Sequence, residues 1–273
     1  MIIDTHVHIG GDAGDFCMTE DMVLSAMEKY RIDYALVSNG DAMEVDHEQK
    51  LLPKELQVPQ EKALERALAF ARKYPEKIAV GVWVKPLTES VTPELERLIC
   101  ENQDIIYAIK LHPYYSKISP TDERVRPYLE LARRYRLAVI SHTGSGEEDL
   151  PLHVYEAALQ FPEVPFVMAH MGLGSDNKEA LELLGKADNL YGDTTWVPIE
   201  TTIEAIQRYG SKKMMFGSDM PIDGVDTYFC NQKGERSLYQ DYFHVLPEKI
   251  GKEAYEDLMW RNAVTIFGFK MKQ

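Results

Sequence analysis

Eight short apolar segments, separated by amphipathic ones, constrain the fold of this 273-residue chain more than any other feature. Each apolar run is nearly continuous, which is typical of parallel strands that are buried on both faces. The predicted strands cover residues 2–9, 34–38, 78–84, 105–111, 137–141, 165–169, 190–194 and 213–217. The intervals between them are long enough for right-handed crossovers between consecutive parallel strands.

Signals for helix ends lie between the predicted strands. Thr or Asn before an amphipathic segment, or Pro at its first position, begins a helix, whereas Gly after the last apolar position ends one. Such signals occur at Thr19, Thr92 with Pro93, Pro151, Asn177 and Gly210. Eight strands alternating with eight helices predict a (β/α)8 TIM barrel. No repeat or flexible linker interrupts the pattern, so we expect residues 1–273 to form a single domain.

Two longer loops follow the second and the eighth predicted strand, at residues 39–59 and 220–246. Both leave the carboxyl end of a strand, where barrel enzymes place their substrate-binding loops. In the first loop we expect Met43, Glu44 and His47 to be exposed to solvent.

The net charge of the chain excludes some classes of binding partner. Thirty Lys and Arg residues stand against 44 Asp and Glu residues, which gives a formal charge of −14. This excess opposes contact with phosphates, and the basic runs at 133–134 and 212–213 are too short to form a local patch. Since no apolar run is long enough to cross a bilayer, we expect neither a nucleic-acid partner nor a membrane partner.

The cysteine pattern indicates a reducing environment. Cys17, Cys100 and Cys230 are odd in number and far apart, so they predict neither a disulfide framework nor a CxxC metal site. The first residues also lack the basic region of a signal peptide. We therefore expect a cytoplasmic protein.

Histidine, aspartate and lysine residues gather at the carboxyl ends of the predicted strands. Five of the eight histidines lie there, on four different strands, and the eighth strand ends in a carboxylate. The residues are His6, His8, His112, His142, His170 and Asp219, with Lys110 inside the fourth apolar run. His6 and His8 are two residues apart, so alternation along a strand puts both side chains on the same side.

Burying several imidazoles, a carboxylate and a lysine at one end of a barrel costs free energy unless they are paired. A divalent ion supplies the missing positive charge and takes neutral imidazole and carboxylate as ligands. The set therefore predicts a metal centre with one or two ions. His and Asp donors also accept Mn²⁺, Fe²⁺ or Co²⁺, and we expect Zn²⁺.

The ordered motifs resemble those of the amidohydrolase superfamily. They are IDTHVHIG at the start, KLHP in the middle, ISHTG and MAHMG after it, GSDMP near the end, and WRNA at 260–263. The chain looks closest to the branch of small predicted metal-dependent hydrolases with the TIM-barrel fold, which also contains decarboxylases. The resemblance extends over nearly the whole chain.

This resemblance implies a role for each residue of the set. Four residues would bind the metal: His6, His8, His142 and Asp219. His170 would either bind a second metal ion or act as an acid/base and electrophile. In binuclear members a strand-four lysine, carboxylated by CO₂, bridges the two metals, and Lys110 occupies the matching place. A Lys110 that stays an ammonium would instead contact a substrate carboxylate.

Metal-assisted hydrolysis of a small-molecule amide, lactone or ester is the function that these residues predict. A bound Zn²⁺ lowers the pKa of its water to about 7, so that hydroxide is available at neutral pH. Asp219 would take the proton of that water and pass it to the leaving group. The metal or His170 would polarise the scissile carbonyl. We expect His112 to contact substrate at the rim, and Lys85 to be available to an anionic substrate.

Three other functions compete with hydrolysis. In a non-hydrolytic decarboxylase of a small unsaturated or aromatic acid, the metal would hold the substrate carboxylate and His170 would protonate carbon. A TatD-type metal nuclease also begins with HxH, but it carries a glutamate in the strand-four region, where this chain has Lys110. A non-catalytic metal-binding module would show a degraded ligand set, whereas this set is complete. The sequence does not determine the oligomeric state, and a homo-oligomer is compatible with it.

Three residues near the seventh predicted strand are further candidates. Asp193, Thr194 and Trp196 follow its apolar run and could line the pocket. A structural role is the simpler expectation for them, because nothing in their spacing points to a ligand set.

Overall fold

The computed structural model describes residues 1–14, 16–222 and 239–270. Eight parallel strands form one sheet in sequence order, and each strand pairs with the next. The strands are β1 (Ile3–Ile9), β2 (Tyr34–Asn39), β3 (Ile78–Trp83), β4 (Ile106–Leu111), β5 (Ala138–His142), β6 (Phe166–Ala169), β7 (Leu190–Asp193) and β8 (Met214–Met215). The predicted (β/α)8 TIM barrel is confirmed.

Backbone hydrogen bonds join the first strand to the segment that follows β8. The N–H of Thr5 donates to the carbonyl of Phe216 at 3.0 Å, and the N–H of His8 donates to Met220 at 2.9 Å. In return, the N–H of Asp219 donates to the carbonyl of His6 at 2.8 Å. Asp219 is thus fixed beside β1 by the closure of the barrel itself.

Strand β8 is shorter than the predicted 213–217, and a side chain explains the difference. The hydroxyl of Thr194 accepts the N–H of Gly217 and donates to the carbonyl of Gly217, both at 3.0 Å. A side-chain hydroxyl therefore satisfies the backbone groups that would otherwise continue the β7–β8 ladder.

Eleven α-helices lie within the described residues. They are α1 (Glu20–Tyr30), α2 (Gln60–Lys73), α3 (Pro93–Glu101), α4 (Pro113–Ser116), α5 (Arg126–Tyr135), α6 (Pro151–Gln160), α7 (Lys178–Leu184), α8 (Ile199–Tyr209), α9 (Tyr239–His244), α10 (Leu246–Glu256) and α11 (Asn262–Phe267). Eight helices were expected. The additional ones are the single turn α4 after β4, and two of the three helices α9, α10 and α11 that follow β8. A π-helical turn, Asp257–Arg261, joins α10 to α11.

Most of the predicted helix signals act as expected. Thr19 and Thr92 accept the N–H groups of Met22 and Leu95, at 3.2 and 3.0 Å, and so cap α1 and α3. Gly210 ends α8 with a positive φ of 83°. Asn177 precedes α7 but its side chain makes no capping hydrogen bond; its amide instead donates to the carbonyl of Met171 at 2.9 Å.

Alternation along the strands separates an apolar barrel interior from a polar upper end. Strand residues such as Leu36, Ala108 and Ile140 form one buried apolar cluster with Phe267 and Phe269 from the carboxyl-terminal segment. Residues two positions further along β4 and β5 lie on the same side of their strands, and these are Lys110 and His142. The strands therefore direct these polar side chains inward, above an apolar floor.

Several expectations concern residues outside the barrel. No helix in the described residues is both long and apolar enough to span a membrane. Cys17 and Cys100 are exposed and free of disulfides. Cys230 and most of the predicted loop 220–246, namely residues 223–238, lie outside the described residues.

Candidate metal centre

The structure brings the predicted polar residues together at the carboxyl end of the barrel. The ligand atoms of His6, His170 and Asp219 all lie within 4.8 Å of one another. His8 joins these three residues, because its Nε2 lies 3.1 Å from Oδ1 of Asp219. We call His6, His8, His170 and Asp219 the donor group. All four residues are buried, and they come from β1 and from the segments directly after β6 and β8.

His6 is hydrogen-bonded through both ring nitrogens. Its Nδ1 lies 2.9 Å from Oδ2 of Asp193 and 3.1 Å from the hydroxyl of Thr195. Its Nε2 lies 2.7 Å from Nζ of Lys110 and 3.5 Å from Oδ1 of Asp219. The imidazole is therefore held on one edge and presents the other edge to the donor group.

Asp219 is held as an ionised carboxylate. Burial alone would raise its pKa, but the hydrogen bond from His8 and the neighbouring imidazoles hold that pKa well below the usual range. The indole N–H of Trp196 donates to Oδ2 of Asp219 at 3.2 Å. A carboxylate that keeps its charge while buried is suited to a metal ion or to accepting a proton.

His142 lies slightly apart from the closest donors. Its Nε2 is 3.5 Å from Oδ2 of Asp149, and its ring centroid is 4.6 Å from that of His170. His112 stacks on it in parallel, with ring centroids 4.3 Å apart, and Trp83 stacks on the other face of His112 at 4.8 Å. Trp83, His112 and His142 thus form a stack of three flat rings.

Buried imidazole nitrogens without a hydrogen-bond partner test whether a metal fits this site. Among the described residues, the Nδ1 atoms of His112, His142 and His170 are buried and have no hydrogen-bond partner. A buried polar atom left unsatisfied costs about 1–3 kcal/mol. An ion at this end of the barrel would use the Nε2 atoms of His6 and His8, which face Asp219, and the unpartnered Nδ1 of His142, so the residues present fit a metal centre.

Burial also keeps the imidazoles in the form that binds metals. It lowers the pKa of His6, His112 and His170 well below the ordinary histidine value, and the Lys110 ammonium lowers the pKa of His6 and His112 further. Burial lowers the pKa of His8 as well. Because only the neutral imidazole ligates a metal, these shifts agree with the fit.

Lys110 is fully buried within the donor group. Burial lowers the pKa of its amine to about 8, against the opposing effect of the carboxylates of Asp219 and Asp193. Its Nζ reaches Nε2 of His6, so the structure places this lysine against a proposed metal ligand rather than at the rim.

Backbone strain concentrates around the site. His170, Trp196 and Asp219 all have positive φ angles, of 68°, 61° and 68°, although none of them is glycine. Such conformations cost of order 1–3 kcal/mol each and persist only where the surrounding structure enforces them. The strain marks the three loops that aim these side chains at one another.

A cavity of about 390 Å³ opens above the donor group. Its wall combines proposed site residues with aromatic and apolar side chains: His8, Phe16, Met18, Gly40, Met43, His47, Trp83, His112, Tyr114, Tyr115, His142, His170, Leu173, Asp219 and Ile222. The volume suits a small molecule, and the aromatic share of the wall suits a flat or apolar face on that molecule.

Two expectations about this end of the barrel are wrong. Met43 and Glu44 were expected to be exposed but are almost completely buried, because the loop after β2 folds over the barrel end. His47, by contrast, is exposed as expected, and it lines the cavity. Lys85 does not face the cavity wall. Its Nζ donates to the carbonyl of Val58 at 2.9 Å and pairs with Glu89 at 3.1 Å.

Sequence reasoning missed the importance of Asp193 and did not single out Trp83 or Asp149. Asp193 contacts both His6 and the backbone of His170, at 2.9 Å each. The position of Asp193 at the end of a predicted strand was the only feature of the sequence that could have indicated its role in the site. No spacing pattern indicates the partners of Trp83 and Asp149, because these contacts join distant parts of the chain.

Three solved structures similar to this one cover both hydrolytic and non-hydrolytic enzymes. A 5-carboxyvanillate decarboxylase from Novosphingobium aromaticivorans, with bound manganese, has a TM-score of 0.71 at 11% identity over 98% of this chain and 97% of that one. A 4-oxalomesaconate hydratase from Rhodopseudomonas palustris has a TM-score of 0.68 at 17% identity, over 98% and 96%. A probable 2-pyrone-4,6-dicarboxylic acid hydrolase from Acinetobacter baumannii has a TM-score of 0.63 at 15% identity, over 98% and 99%.

At these identities the three likenesses show the fold alone. A search of curated proteins finds no match. A family model described as Amidohydrolase, however, matches residues 3–269, which is nearly the whole chain and includes every residue of the donor group. The chain therefore belongs to the amidohydrolase family of metal-dependent enzymes.

Proposed function

We propose that this protein is a metal-dependent hydrolase of a small-molecule amide, lactone or ester. One observation carries the proposal: neutral imidazoles and an ionised aspartate converge, buried, beneath a cavity of about 390 Å³. A cavity of this size suits one small substrate. The family match supports an enzyme over a non-catalytic metal-binding module.

His6, His8, His142 and Asp219 are the proposed ligands of a divalent ion. When bound, that ion would supply Lewis acidity to a substrate oxygen and lower the pKa of water. We propose a single ion, because the described residues contain one group of closely spaced donor atoms. Zn²⁺ stays our proposal for the metal, and Mn²⁺ is its main competitor because a similar structure contains manganese.

Asp219 is the proposed general base. Its Oδ2 accepts the Trp196 indole N–H, and its Oδ1 faces the Nε2 atoms of His6 and His8, so the carboxylate is fixed from both sides. The ionised state lets it accept a proton from water and return that proton to the leaving group.

His170 is the proposed electrophile. It lines the cavity, and its Nδ1 has no hydrogen-bond partner among the described residues. A neutral imidazole in its Nδ1–H form can donate to the oxygen that gains charge during attack on a carbonyl. His112, stacked between Trp83 and His142 and also on the cavity wall, is proposed to contact the substrate.

Decarboxylation of an aromatic or unsaturated acid is a second candidate, favoured by one observation. The stacked rings of Trp83, His112 and His142, together with Tyr114 and Tyr115, make the cavity wall rich in aromatic side chains, which suits a planar substrate. In that reaction CO₂ would leave with the C–C bond electrons remaining on the substrate carbon, and His170 would relay a proton from water to that carbon. Lys110, as a buried ammonium beside His6, would add positive charge near the substrate anion.

Three further expectations stay predictions. They are the assignment of residues 1–273 to a single domain, the cytoplasmic location expected from the cysteines, and the absence of a nucleic-acid partner. The net charge of −14 supports the last of them.

Metal removal and reconstitution test the proposed function. The protein is stripped with a chelator, reloaded with Zn²⁺ or Mn²⁺, and given a panel of small amides, lactones, esters and aromatic acids. We expect loss of activity on stripping, recovery at one ion per chain, and acid release without CO₂.

His244→Ala, at an exposed residue on α9, is the matched histidine control and should retain activity. CO₂ release would establish the second candidate, and full activity of the stripped protein would overturn both.

A further inference from the structure

Asp193, the last residue of β7, makes hydrogen bonds to two separate parts of the donor group. Its carboxylate is completely buried. Oδ2 lies 2.9 Å from Nδ1 of His6, and Oδ1 accepts the backbone N–H groups of His170 and Thr195 at 2.9 and 3.0 Å. One side chain therefore connects β1 to the strained turn after β6.

The partners of His6 determine where its imidazole proton lies. An aspartate carboxylate can only accept a hydrogen bond, and the ammonium of Lys110 can only donate one. Asp193 contacts Nδ1 and Lys110 contacts Nε2, so both contacts are satisfied together when Nδ1 carries the proton. In that tautomer Nε2 keeps its lone pair, which accepts the Lys110 ammonium at 2.7 Å, and Oδ1 of Asp219 lies 3.5 Å away.

The second oxygen of Asp193 acts on the backbone of His170. His170 has a φ of 68°, a conformation that a residue with a side chain rarely adopts. The hydrogen bond from its N–H to Oδ1 of Asp193 ties this turn to the end of β7. The same carboxylate thus sets the tautomer of one histidine and the backbone position of another.

We propose that Asp193 is the positioning residue of the metal centre: it holds His6 as the Nδ1–H tautomer and so keeps on Nε2 the lone pair that a metal would use in place of Lys110. The part that concerns the metal rests on the proposed function. The part that concerns the tautomer does not, because it follows from hydrogen bonds in the metal-free protein.

The substitution Asp193→Asn separates this role from simple packing. An asparagine has the same shape but one acceptor and one NH₂ donor. Its NH₂ cannot face the two backbone N–H groups that now meet Oδ1, so it must face Nδ1 of His6. His6 would then accept at Nδ1 and carry its proton on Nε2, the atom needed by the metal.

Thr195→Val is the matched control. The hydroxyl of Thr195 is the other group near Nδ1 of His6, at 3.1 Å, and it is equally buried. Valine has nearly the same shape, so this variant removes a hydroxyl beside the same nitrogen and leaves Asp193 in place. If Asp193 sets the tautomer, Thr195→Val should not change it.

The test is ¹⁵N NMR of the histidine rings in metal-free protein, with His6 assigned by the loss of its signals in His6→Asn. We expect the Nδ1–H tautomer in the wild type and in Thr195→Val, and the Nε2–H tautomer in Asp193→Asn. Isothermal titration with Zn²⁺ should show Kd weakened about 10- to 100-fold in Asp193→Asn, as is typical for loss of an outer-shell partner.

Each outcome decides the inference. An Nε2–H tautomer of His6 in the wild type would overturn the inference. The wild-type measurement needs no variant, so it tests the inference even if Asp193→Asn fails to fold. An unchanged His6 tautomer in folded Asp193→Asn would also overturn the inference. So would a Thr195→Val variant in which the His6 tautomer switches as it does in Asp193→Asn. A switched tautomer in a protein that binds no metal at all would support the inference and refute the proposed function.

Discussion

The Nζ atom of Lys110 lies 2.7 Å from Nε2 of His6, the ring nitrogen that also faces Asp219. A buried ammonium in this position neutralises part of the negative charge that a divalent ion would otherwise meet. It is also the nearest positive charge to the proposed ligands, so it opposes the entry of a cation. The relationship bears directly on the number of ions that the centre holds.

Lys110→Met therefore tests the role of the lysine. We expect one ion per chain in the wild type and in the variant, with metal affinity about tenfold higher in the variant because a competing cation is gone. Elemental analysis of the loaded proteins gives the stoichiometry, and titration gives the affinity. Two ions in the wild type and one in the variant would instead identify Lys110 as a carboxylated bridge.

Asp219→Asn tests the proposed base. The amide cannot accept a proton from water, so we expect turnover to fall about 10²- to 10⁴-fold. Steady-state kinetics on the reconstituted variant measure this fall, with the bound metal quantified in the same sample. Full turnover with the metal still bound would show that another group takes the proton.

His112→Phe tests the proposed substrate contact. Phenylalanine can keep the stack between Trp83 and His142, which lies at centroid distances of 4.8 and 4.3 Å, but it removes both ring nitrogens. Loss of one hydrogen bond to the substrate should raise KM about three- to tenfold. The measurement is KM against kcat on the best substrate of the panel, and an unchanged KM would assign His112 to packing.

Glu44 should make the stability of the protein depend on pH. Burial raises the pKa of its carboxyl to about 7, although the N–H and hydroxyl of Thr88 donate to Oε1 at 2.6 and 2.7 Å. The folded state therefore binds a proton that the unfolded state releases above its ordinary pKa. This contribution to stability is full below the unfolded value and is lost as the pH rises through about 7.

The measurement for Glu44 is urea unfolding at pH 5 and pH 8. Over this range the wild type should lose about 2–3 kcal/mol more stability than Glu44→Gln, since each pKa unit corresponds to about 1.4 kcal/mol. Glutamine imitates the protonated carboxyl and does not titrate. Equal pH dependence in the two proteins would contradict the prediction.

Gly217→Ala should disturb the metal centre by crowding. A Cβ at this position would lie 2.7 Å from the hydroxyl of Thr195, 3.0 Å from Cβ of His6 and 3.1 Å from Oδ2 of Asp193. We expect a loss of about 1–3 kcal/mol in stability together with weaker metal binding.

Gly268→Ala is the control for that variant. Gly268 has a φ of 70° and open space around its Cα, so alanine there strains the backbone away from the site. We expect lower stability but unchanged metal affinity, measured by urea unfolding and metal titration. A Gly217→Ala protein with wild-type metal affinity would show that the centre tolerates the added methyl group.

Much of the barrel could be predicted from local patterns. All eight strands lie where apolar runs indicate them, because a strand buried on both faces must be apolar at nearly every position. The end of β8 could not be predicted, since it depends on the hydroxyl of Thr194, which replaces ladder hydrogen bonds from a neighbouring strand. Burial of the loop around Met43 and Glu44 depends likewise on contacts with distant segments.

The candidate site divides in the same way. By itself the sequence determined which residues lie at the carboxyl ends of strands, because strand alternation and parallel order place them there without further information. Only the tertiary structure decided which atoms meet. His6 and Asp193 are 187 residues apart, and their 2.9 Å contact exists because the closed barrel brings β1 and β7 to the same end. Hydrogen-bond partners, and with them the tautomer and charge of each side chain, are properties of that arrangement and not of any local pattern.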